Sequence, residues 1–416
     1  MRTTASLLSS IVLLSLAAAG AACSSTNSGN NNGGGGGAAA SGGGGNGGTG
    51  NIINVGGNGG NGTGGKLNQA PPCTNLDPNS DGDGDGFTPA AGDCNDCTNQ
   101  MNPGAFDYPG NGVDEDCNGV PDDEPVGCDN QTVDIGYGDP VVAAHAIGIC
   151  RMAQGSSWGL VSAKYVKADG SPGMNDISHG LLPNFGPGVN PREGTNILAL
   201  SSGTARRPGD PGFQSPSGAD MGTTGNTPPG FPKDSPACNV QTASDTTAND
   251  TAALEIVVRT PTNANEMAFD FNFYTFEFPE YVCTQYNDFF VALVSPEPAN
   301  AQSGNVSFDS QGNPVSVNNG FVEACQQQTA GGKSFPCSLG TGMLQNTGFD
   351  ELSWTGPHAA TGWLNTQAPV PAGAEVTIRF AIWDMGDHIL DSTVLIDNFT
   401  WDLGEGETPV TKPVPR

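Results

Sequence analysis

Basic residues are scarce in this chain. Its 416 residues include 14 Lys and Arg against 43 Asp and Glu, which gives a formal net charge of −29 at pH 7. Such a charge repels nucleic acid and anionic lipid, so we expect neither as a partner. Histidine is also rare, with four residues, and no His-Glu-x-x-His motif or serine nucleophile elbow accompanies them. The sequence therefore shows no catalytic constellation.

Long hydrophobic runs are lacking too, except at the start of the chain. The run from Leu7 to Ala22 follows a short basic region, which predicts a signal peptide over residues 1–22, too short to span a membrane stably. It ends in Gly-Ala-Ala-Cys23, which resembles a bacterial lipoprotein cleavage box. The resemblance implies an exported protein, lipid-anchored through Cys23 at the outer membrane or cell surface, with no other membrane contact. Ordinary cleavage and secretion is the alternative.

Residues 23–72 contain almost nothing that could be buried. After Cys23 they are mostly Gly, Asn, Ser and Ala, a composition typical of a flexible linker. We therefore expect a disordered tether between the lipid and the folded part of the chain.

The cysteine count indicates disulfides. Of the 11 cysteines, ten remain without Cys23, an even number in an exported chain, as five disulfides require. The sequence leaves their connectivity open. A zinc site is the alternative for Cys94, Cys97, Cys117 and Cys128, but an oxidising compartment favours disulfides.

The segment from residue 73 to 129 has no Lys or Arg and carries two phased acidic loops. In the first, aspartates occupy alternate positions before Gly86, as in an EF-hand, but Gly92 stands where an EF-hand needs its bidentate Glu. The first loop therefore needs later carboxylates to complete its shell. Its candidate ligands are Asp81, Asp83, Asp85, the Phe87 carbonyl, Asp93 and Asp96.

A second loop repeats the phasing. Its candidate ligands are Asp114, Asp116, Asn118, the Val120 carbonyl and Asp122. All-oxygen ligands predict a hard cation, Ca²⁺, with copper as the alternative ion. The segment has too few apolar residues for a core, so metal and disulfides are expected to hold it together. A merely solvated acidic linker is the plain alternative.

Residues 130–405 are predicted to form a mainly β domain. In Met267 to Phe276 apolar side chains alternate with others with period 2, the pattern of a half-buried strand, and Leu254 to Val258 and Val376 to Ile382 do the same. Asp288 to Val294 is apolar on both faces, which favours a central strand. A short helix is expected from Asp139, its N-cap, to near Gly155. Together these patterns predict an antiparallel, jelly-roll-like β-sandwich, followed by a polar tail over 406–416.

Two polar clusters interrupt the predicted strands. Asp384, Asp387 and Asp391 are candidate ligands of a further cation, although Asp is equally an ordinary turn residue. Glu277 and Glu280 have the residue types of a glycosidase acid and base, although a structural role at a turn is the alternative.

Two families are similar to parts of the chain. Asp81-Gly-Asp-Gly-Asp-Gly-Phe and Asp114-Glu-Asp-Cys-Asn-Gly resemble the metal-binding motif of many secreted bacterial proteins, named after a copper-binding surface protein, and thrombospondin type 3 calcium repeats. Phe278-Pro-Glu-Tyr-Val-Cys and Asp384-Met-Gly-Asp-His-Ile-Leu-Asp-Ser are similar to the choice-of-anchor L domain, over roughly Asp129 to Leu403. That resemblance implies an extracellular β-rich domain on a variable surface anchor and supplies no activity.

These observations predict a surface-anchored, non-catalytic lipoprotein. Its calcium-stabilised stalk would present the sandwich for adhesion or for binding an unidentified extracellular ligand, a glycan or a surface protein. One alternative is an extracellular enzyme or carbohydrate-binding module that acts on polysaccharide. Another is copper acquisition.

Overall fold

The computed structural model describes residues 73, 77–124, 127–238, 246–352, 356–404, 406 and 408–415. The predicted signal peptide, the lipidation site Cys23 and the predicted tether lie outside these described residues. Within the described ranges, no helix has the length and apolar character needed to cross a membrane.

Strands dominate the described residues, and one short helix, α1 (Pro140–Ala146), precedes them. The strands are β1 (Gly159–Val166), β2 (His179–Leu182), β3 (Ile197–Ser201), β4 (Thr224–Asn226), β5 (Thr247–Arg259), β6 (Glu266–Thr275), β7 (Phe289–Ser295), β8 (Gln328–Ala330), β9 (Lys333–Phe335), β10 (Ala359–Ala360), β11 (Leu364–Pro369), β12 (Glu375–Asp384), β13 (Ser392–Asp402) and β14 (Val410–Pro413). Single turns of 3-10 helix lie at Pro89–Ala91, Asp176–Ser178 and Gly342–Leu344.

The strands form two large antiparallel sheets and a small hairpin. One sheet has the order β1-β5-β12-β7, with β4 beside β5, and the other has the order β14-β11-β6-β13-β3-β2, with β10 beside β6. Strands β8 and β9 pair only with each other among the described residues. The consecutive strands β5, β6 and β7 alternate between the large sheets, as do β11, β12 and β13. This alternation between two layers is expected for a jelly-roll-like path.

The two large sheets face each other across a shared core. Ile256 and Phe380 from one sheet are buried in the same cluster as Phe271 from the other. The rings of Phe269 and Phe380, one from each sheet, meet edge to face with centroids 5.0 Å apart. Side chains that interdigitate between two sheets define a sandwich. The predicted mainly β, antiparallel sandwich is confirmed.

Strand β6 forms where the period-2 pattern predicts it, but it is buried on both faces. The polar residues Asp270 and Asn272 expose 2% and 0% of their surface. The strand lies between β11 and β13, and Arg192 covers Asp270 with an ion pair of 3.0 Å. The expectation of a half-buried strand is therefore wrong, because loops cover the outer face of this sheet.

Strand β7 is buried as expected but is not central. It is the last strand in its sheet's order, next to β12. Its free edge is contacted by a loop through isolated bridges of Phe290 to Val315 and Leu293 to Asn305. A covered edge strand is apolar on both faces in the same way as a central one.

The helix α1 starts as predicted and ends early. The Asp139 side chain caps it by accepting the Val141 N–H, and Pro140 is the first helical residue. The helix ends at Ala146, before Gly148 at φ 102°, so the expected extension to near Gly155 is wrong. A glycine in this left-handed conformation is a common helix terminator.

The ten cysteines beyond Cys23 form five disulfides, as predicted. The pairs are Cys73–Cys97, Cys94–Cys117, Cys128–Cys150, Cys238–Cys283 and Cys325–Cys337. The sulfurs offered as zinc ligands are therefore bonded to other sulfurs, and the zinc alternative is wrong.

The Asp-rich module, which the structure describes over residues 73, 77–124 and 127–129, rests directly against the sandwich. Asn263 accepts the Phe106 N–H at 2.8 Å and donates to the Phe106 carbonyl at 2.9 Å, and Thr262 donates to Asn102 at 2.7 Å. The Cys128–Cys150 bridge adds a covalent link. The segment predicted to form a stalk is therefore docked on the sandwich. At the other end of the chain, the predicted polar tail contributes strand β14, which pairs with β11.

Candidate functional site

Five carboxylates of the first Asp-rich loop converge. Oxygens of Asp81, Asp83 and Asp85 lie within 4.8 Å of one another, and those of Asp83, Asp93 and Asp96 do the same. Asp83 belongs to both groups. Asp93 and Asp96 are 6% and 2% exposed, so they form the buried side of the cluster. Asp93 and Asp96, which follow the loop in sequence, therefore lie beside its aspartates and are available as the further carboxylates that the first loop needs.

The glycines between the aspartates allow this convergence. Gly84 and Gly86 adopt φ values of 84° and 95°, which glycine reaches without the cost that a side chain imposes. Their N–H groups donate to the two oxygens of Asp81 at 2.7 and 3.1 Å. Gly82 donates to Asp96 at 2.6 Å. The backbone thus wraps around Asp81 and is tied to the far side of the cluster.

The carboxylates of this loop are electrostatically crowded. Burial raises the pKa of Asp85 to about 6 and also raises the pKa of Asp83 and Asp93, and repulsion from neighbouring aspartates adds to each shift. The Oδ2 atoms of these three residues are buried without a hydrogen-bond partner in the described part of the chain. Such oxygens are costly to bury unless something compensates them. A divalent cation would do so, and the arrangement fits one.

The donor atoms favour a hard cation. Both groups of converging residues in this loop consist of aspartates alone, and the module's cysteines Cys73, Cys94, Cys97, Cys117 and Cys128 are in disulfides. Oxygen donors suit Ca²⁺, whereas copper prefers imidazole and sulfur. Phe87 follows the loop directly and donates its N–H to Asp85 at 2.8 Å.

The second loop wraps its backbone around its first aspartate in the same way but has a protein cation beside it. Asp114 accepts the N–H groups of Asn118 and Gly119 at 3.1 and 2.9 Å. Asp116 is instead paired with the Arg151 guanidinium at 3.2 Å. Asp122 accepts the N–H groups of Asn111 and Gly112 at 2.9 and 3.1 Å, and Asn118 accepts the Val120 N–H at 2.9 Å. The first loop therefore holds two groups of aspartates that share Asp83, whereas Asp116 of the second loop is paired with an arginine.

An aromatic cleft lies where the module meets the sandwich. It has a volume of about 340 Å³, and its walls include Phe106 and Tyr108 from the module and Trp158 and Trp401 from the sandwich. Glu193 also lines it. The Tyr108 hydroxyl and one Glu193 oxygen are buried with no hydrogen-bond partner among residues that the structure describes. Aromatic walls with a few polar atoms are typical of ligand sites. Sequence reasoning missed this cleft, because its residues come from separate segments.

The predicted clusters in the sandwich lie at the ends of its strands. Asp384 and Asp391 are each 1% exposed, and Asp387 is half-buried in the turn between them. Glu277 is 2% exposed and accepts the Asp288 N–H at 3.0 Å, while Glu280 is half-buried. Burial of Glu277 removes it from direct contact with a polysaccharide, so the structure gives the proposed acid and base pair no support.

A disulfide-bonded β-sandwich with acidic loops is typical of exported, extracellular domains. The chain belongs to the choice-of-anchor L domain family, whose model matches residues 193–401. The match starts later than the expected Asp129, so α1, β1 and β2 precede it. Family membership indicates a surface-associated, exported protein. No curated protein and no solved structure matches the chain.

Proposed function

We propose that this is a non-catalytic surface protein, lipid-anchored through Cys23, whose docked module binds Ca²⁺ and whose sandwich binds an extracellular ligand. The observation that carries the calcium part is the convergence of Asp81, Asp83, Asp85, Asp93 and Asp96. The role of the cation is structural, because it would hold together a module that has little hydrophobic core of its own.

The aromatic cleft supports the ligand-binding part of the proposal. Phe106 and Tyr108 lie close to the Asp-rich loops in sequence and form one side of the cleft, with their ring centroids 4.7 Å apart. A cation that orders the module would therefore also order that side. Aromatic faces beside carboxylate acceptors suit the apolar faces and hydroxyl groups of a glycan, and a surface protein is the other ligand considered.

Calorimetric titration of the exported chain with Ca²⁺ tests the calcium part. We expect a dissociation constant of about 0.1 to 1 mM, the range typical of extracellular calcium modules. Asp83→Asn should weaken it at least about ten-fold, because Asp83 belongs to both groups of carboxylates. Asp134→Asn, at an exposed position, is the matched control. Absence of any calcium binding at millimolar concentration would contradict the proposal.

A glycan array and a hydrolysis screen test the ligand part. Trp401→Ala should abolish binding to any glycan that the array identifies, because Trp401 forms a wall of the cleft. Turnover of a polysaccharide that Glu280→Gln abolishes would instead establish the enzyme alternative.

A further inference from the structure

The aromatic cleft between the module and the sandwich has a continuous series of rings along its walls. Phe106 contacts Tyr108 and Trp158, with ring centroids 4.7 and 5.3 Å apart. The ring centroids of Trp158 and Trp401 are 6.3 Å apart, and those of Trp401 and Phe399 are 5.0 Å apart. All five residues line the same cavity. The face of an aromatic ring is electronegative, so such walls favour a ligand that carries positive charge.

The charged side chains that line the cleft are acidic. They are Glu124 and Glu193, and no Lys or Arg belongs to the walls among the described residues. Arg151 pairs with Glu124 at 3.0 Å and lies 5.3 Å from the centroid of the Trp158 ring. No described Lys, Arg or His forms an ion pair with Glu193. Glu193 is therefore the carboxylate of the cleft that lacks a counter-ion.

Polar atoms of the cleft indicate which kind of cation fits. The Tyr108 hydroxyl and Glu193 Oε2 are buried without a hydrogen-bond partner in the described part of the chain. A carboxylate oxygen can only accept a hydrogen bond, and a hydroxyl oxygen can accept one as well. Leaving such buried atoms unpaired is costly. A primary ammonium group has N–H donors for them, whereas a quaternary ammonium group has none.

Gly148 leaves space open beside Glu193. A side-chain carbon at Gly148 would lie 3.8 Å from Glu193 Oε2 and 3.1 Å from the Phe399 carbonyl oxygen. Phe399 and Gly148 both line the cleft. The carboxylate of Glu193 therefore reaches the part of the cleft that Phe399 lines, where acceptor oxygens and an aromatic wall lie close together.

The electrostatic surroundings of the cleft agree with this geometry. Burial raises the pKa of Glu193, and the charge of Asp129 adds to the shift. Burial also raises the pKa of the Tyr108 hydroxyl, and the charges of Asp402 and Glu115 add to that shift. Negative charge therefore surrounds both groups, and a bound cation would lower both pKa values.

We propose that the cleft binds an amino sugar through its protonated primary amine, with Glu193 as the counter-ion and the aromatic rings against the apolar face of the sugar. The inference rests on the proposed function, because it names the class of glycan that the cleft takes. A volume of about 340 Å³ is near the lower end for small-ligand sites and suits a single sugar unit. A lysine side chain carries the same ammonium group, but it loses more conformational freedom on binding than a sugar ring does.

Calorimetric titration of the exported chain with two matched sugars tests the inference. The probes are glucosamine oligosaccharides with free amines and their fully N-acetylated counterparts, which have the same sugar ring but no charge. The free amine should bind at least about ten-fold more tightly, as expected for a hydrogen bond to a charged group. Glu193→Gln should remove this preference, and Trp401→Ala should weaken the binding of both sugars. Glu375→Gln removes the same charge at an exposed position outside the cleft and should leave the preference unchanged.

The outcomes separate this inference from the proposed function. Equal or tighter binding of the N-acetylated sugar overturns the inference and leaves glycan binding at the cleft in place. Binding of neither sugar also overturns it, and a glycan of another class whose binding depends on Trp401 would still support the proposed function. A lysine-containing peptide that binds more tightly than the amino sugar assigns the cleft to a protein ligand, which overturns the inference as well.

Competition on the unaltered chain replaces Glu193→Gln if that variant fails to fold. Methylammonium chloride should displace the amino sugar, whereas tetramethylammonium chloride at the same concentration should displace much less of it. The two salts carry the same charge and differ in N–H donors, so equal displacement by both overturns the inference.

Discussion

The buried carboxylates of the Asp-rich module have two kinds of charged neighbour. Asp116 and Glu124 have a protein cation, because Arg151 contacts them at 3.2 and 3.0 Å. Asp83, Asp85 and Asp93 have neighbouring carboxylates instead. Asp116 occupies the same loop position in the second repeat as Asp83 in the first, so equal sequence phasing leads to different surroundings. Whether an aspartate lies beside an arginine or beside other carboxylates is therefore decided by tertiary contacts, which the local sequence does not encode.

Calcium affinity should depend on pH through Asp85. Burial raises its pKa to about 6, and a group with that value is about one-tenth ionised at pH 5. A proton must leave before the cation binds, so affinity measured by calorimetry should be about ten-fold weaker at pH 5 than at pH 7. The folded pKa lies above the unfolded one, so the calcium-free chain should lose stability as pH rises through about 6. Equal affinity at both pH values would contradict this assignment.

Removal of the Arg151 charge should destabilise the junction. Arg151→Met leaves Asp116 and Glu124 buried without their cation, and we expect a loss of about 2 kcal/mol, less than for a fully buried pair because Arg151 is partly exposed. Burial already raises the pKa of Glu124 to about 7, and Arg151 opposes the shift. The loss should therefore grow as pH rises through that value. Chemical denaturation at pH 5 and pH 8 measures it.

The control for Arg151→Met is Arg259→Met. Arg259 pairs with Glu375, whose side chain is 54% exposed, so its removal should cost less than about 1 kcal/mol. Equal losses in the two variants would show that the Arg151 pair has no special role.

At the scale of elements, period-2 patterns located β5, β6 and β12, and the capping pattern located the start of α1. These signals are local, since each depends on neighbouring residues alone. The burial of both faces of β6 and the edge position of β7 were not predicted. Both depend on contacts with loops from other parts of the chain. The periodicity of the strand's own sequence does not encode those contacts.

Docking of the module should depend on Asn263. Its side chain bonds the backbone of Phe106 in both directions and reaches the Gln100 carbonyl at 3.3 Å. Asn263→Ala should cost about 2 kcal/mol, because it leaves backbone groups unpaired. Hydrogen exchange should then rise in residues 77–124 and stay unchanged in β5 and β6. Asn226→Ala, at an exposed position, serves as the control. If the two variants show the same hydrogen exchange in residues 77–124, Asn263 makes no specific docking contact.

The whole molecule combines an acidic module and a sandwich that share a cleft. The cleft takes aromatic walls from both parts, and a disulfide joins them. Ligand binding and calcium binding are therefore expected to be coupled. A calcium ion that orders one wall of the cleft lowers the conformational entropy that ligand binding must remove.

The proposed lipid anchor at Cys23 decides where the whole molecule is located. The exported chain should incorporate labelled palmitate in bacterial cells. Cys23→Ser should abolish the labelling and release the protein, because the anchor depends on one lipidated cysteine. Equal labelling of wild type and Cys23→Ser would remove the anchor from the proposal. Cys97→Ser, which breaks a disulfide of the module, controls for the loss of a cysteine.

The sequence by itself determined the strand-rich class, the number of disulfides and the convergence of the first acidic loop. Each is encoded by composition or by residues within about one loop of one another, where chain geometry leaves little choice. Only the tertiary structure decided the disulfide pairs, the docking of the module and the pairing of Asp116 with Arg151. Those contacts join segments far apart in the chain, and they depend on how two sheets pack, which local patterns do not specify.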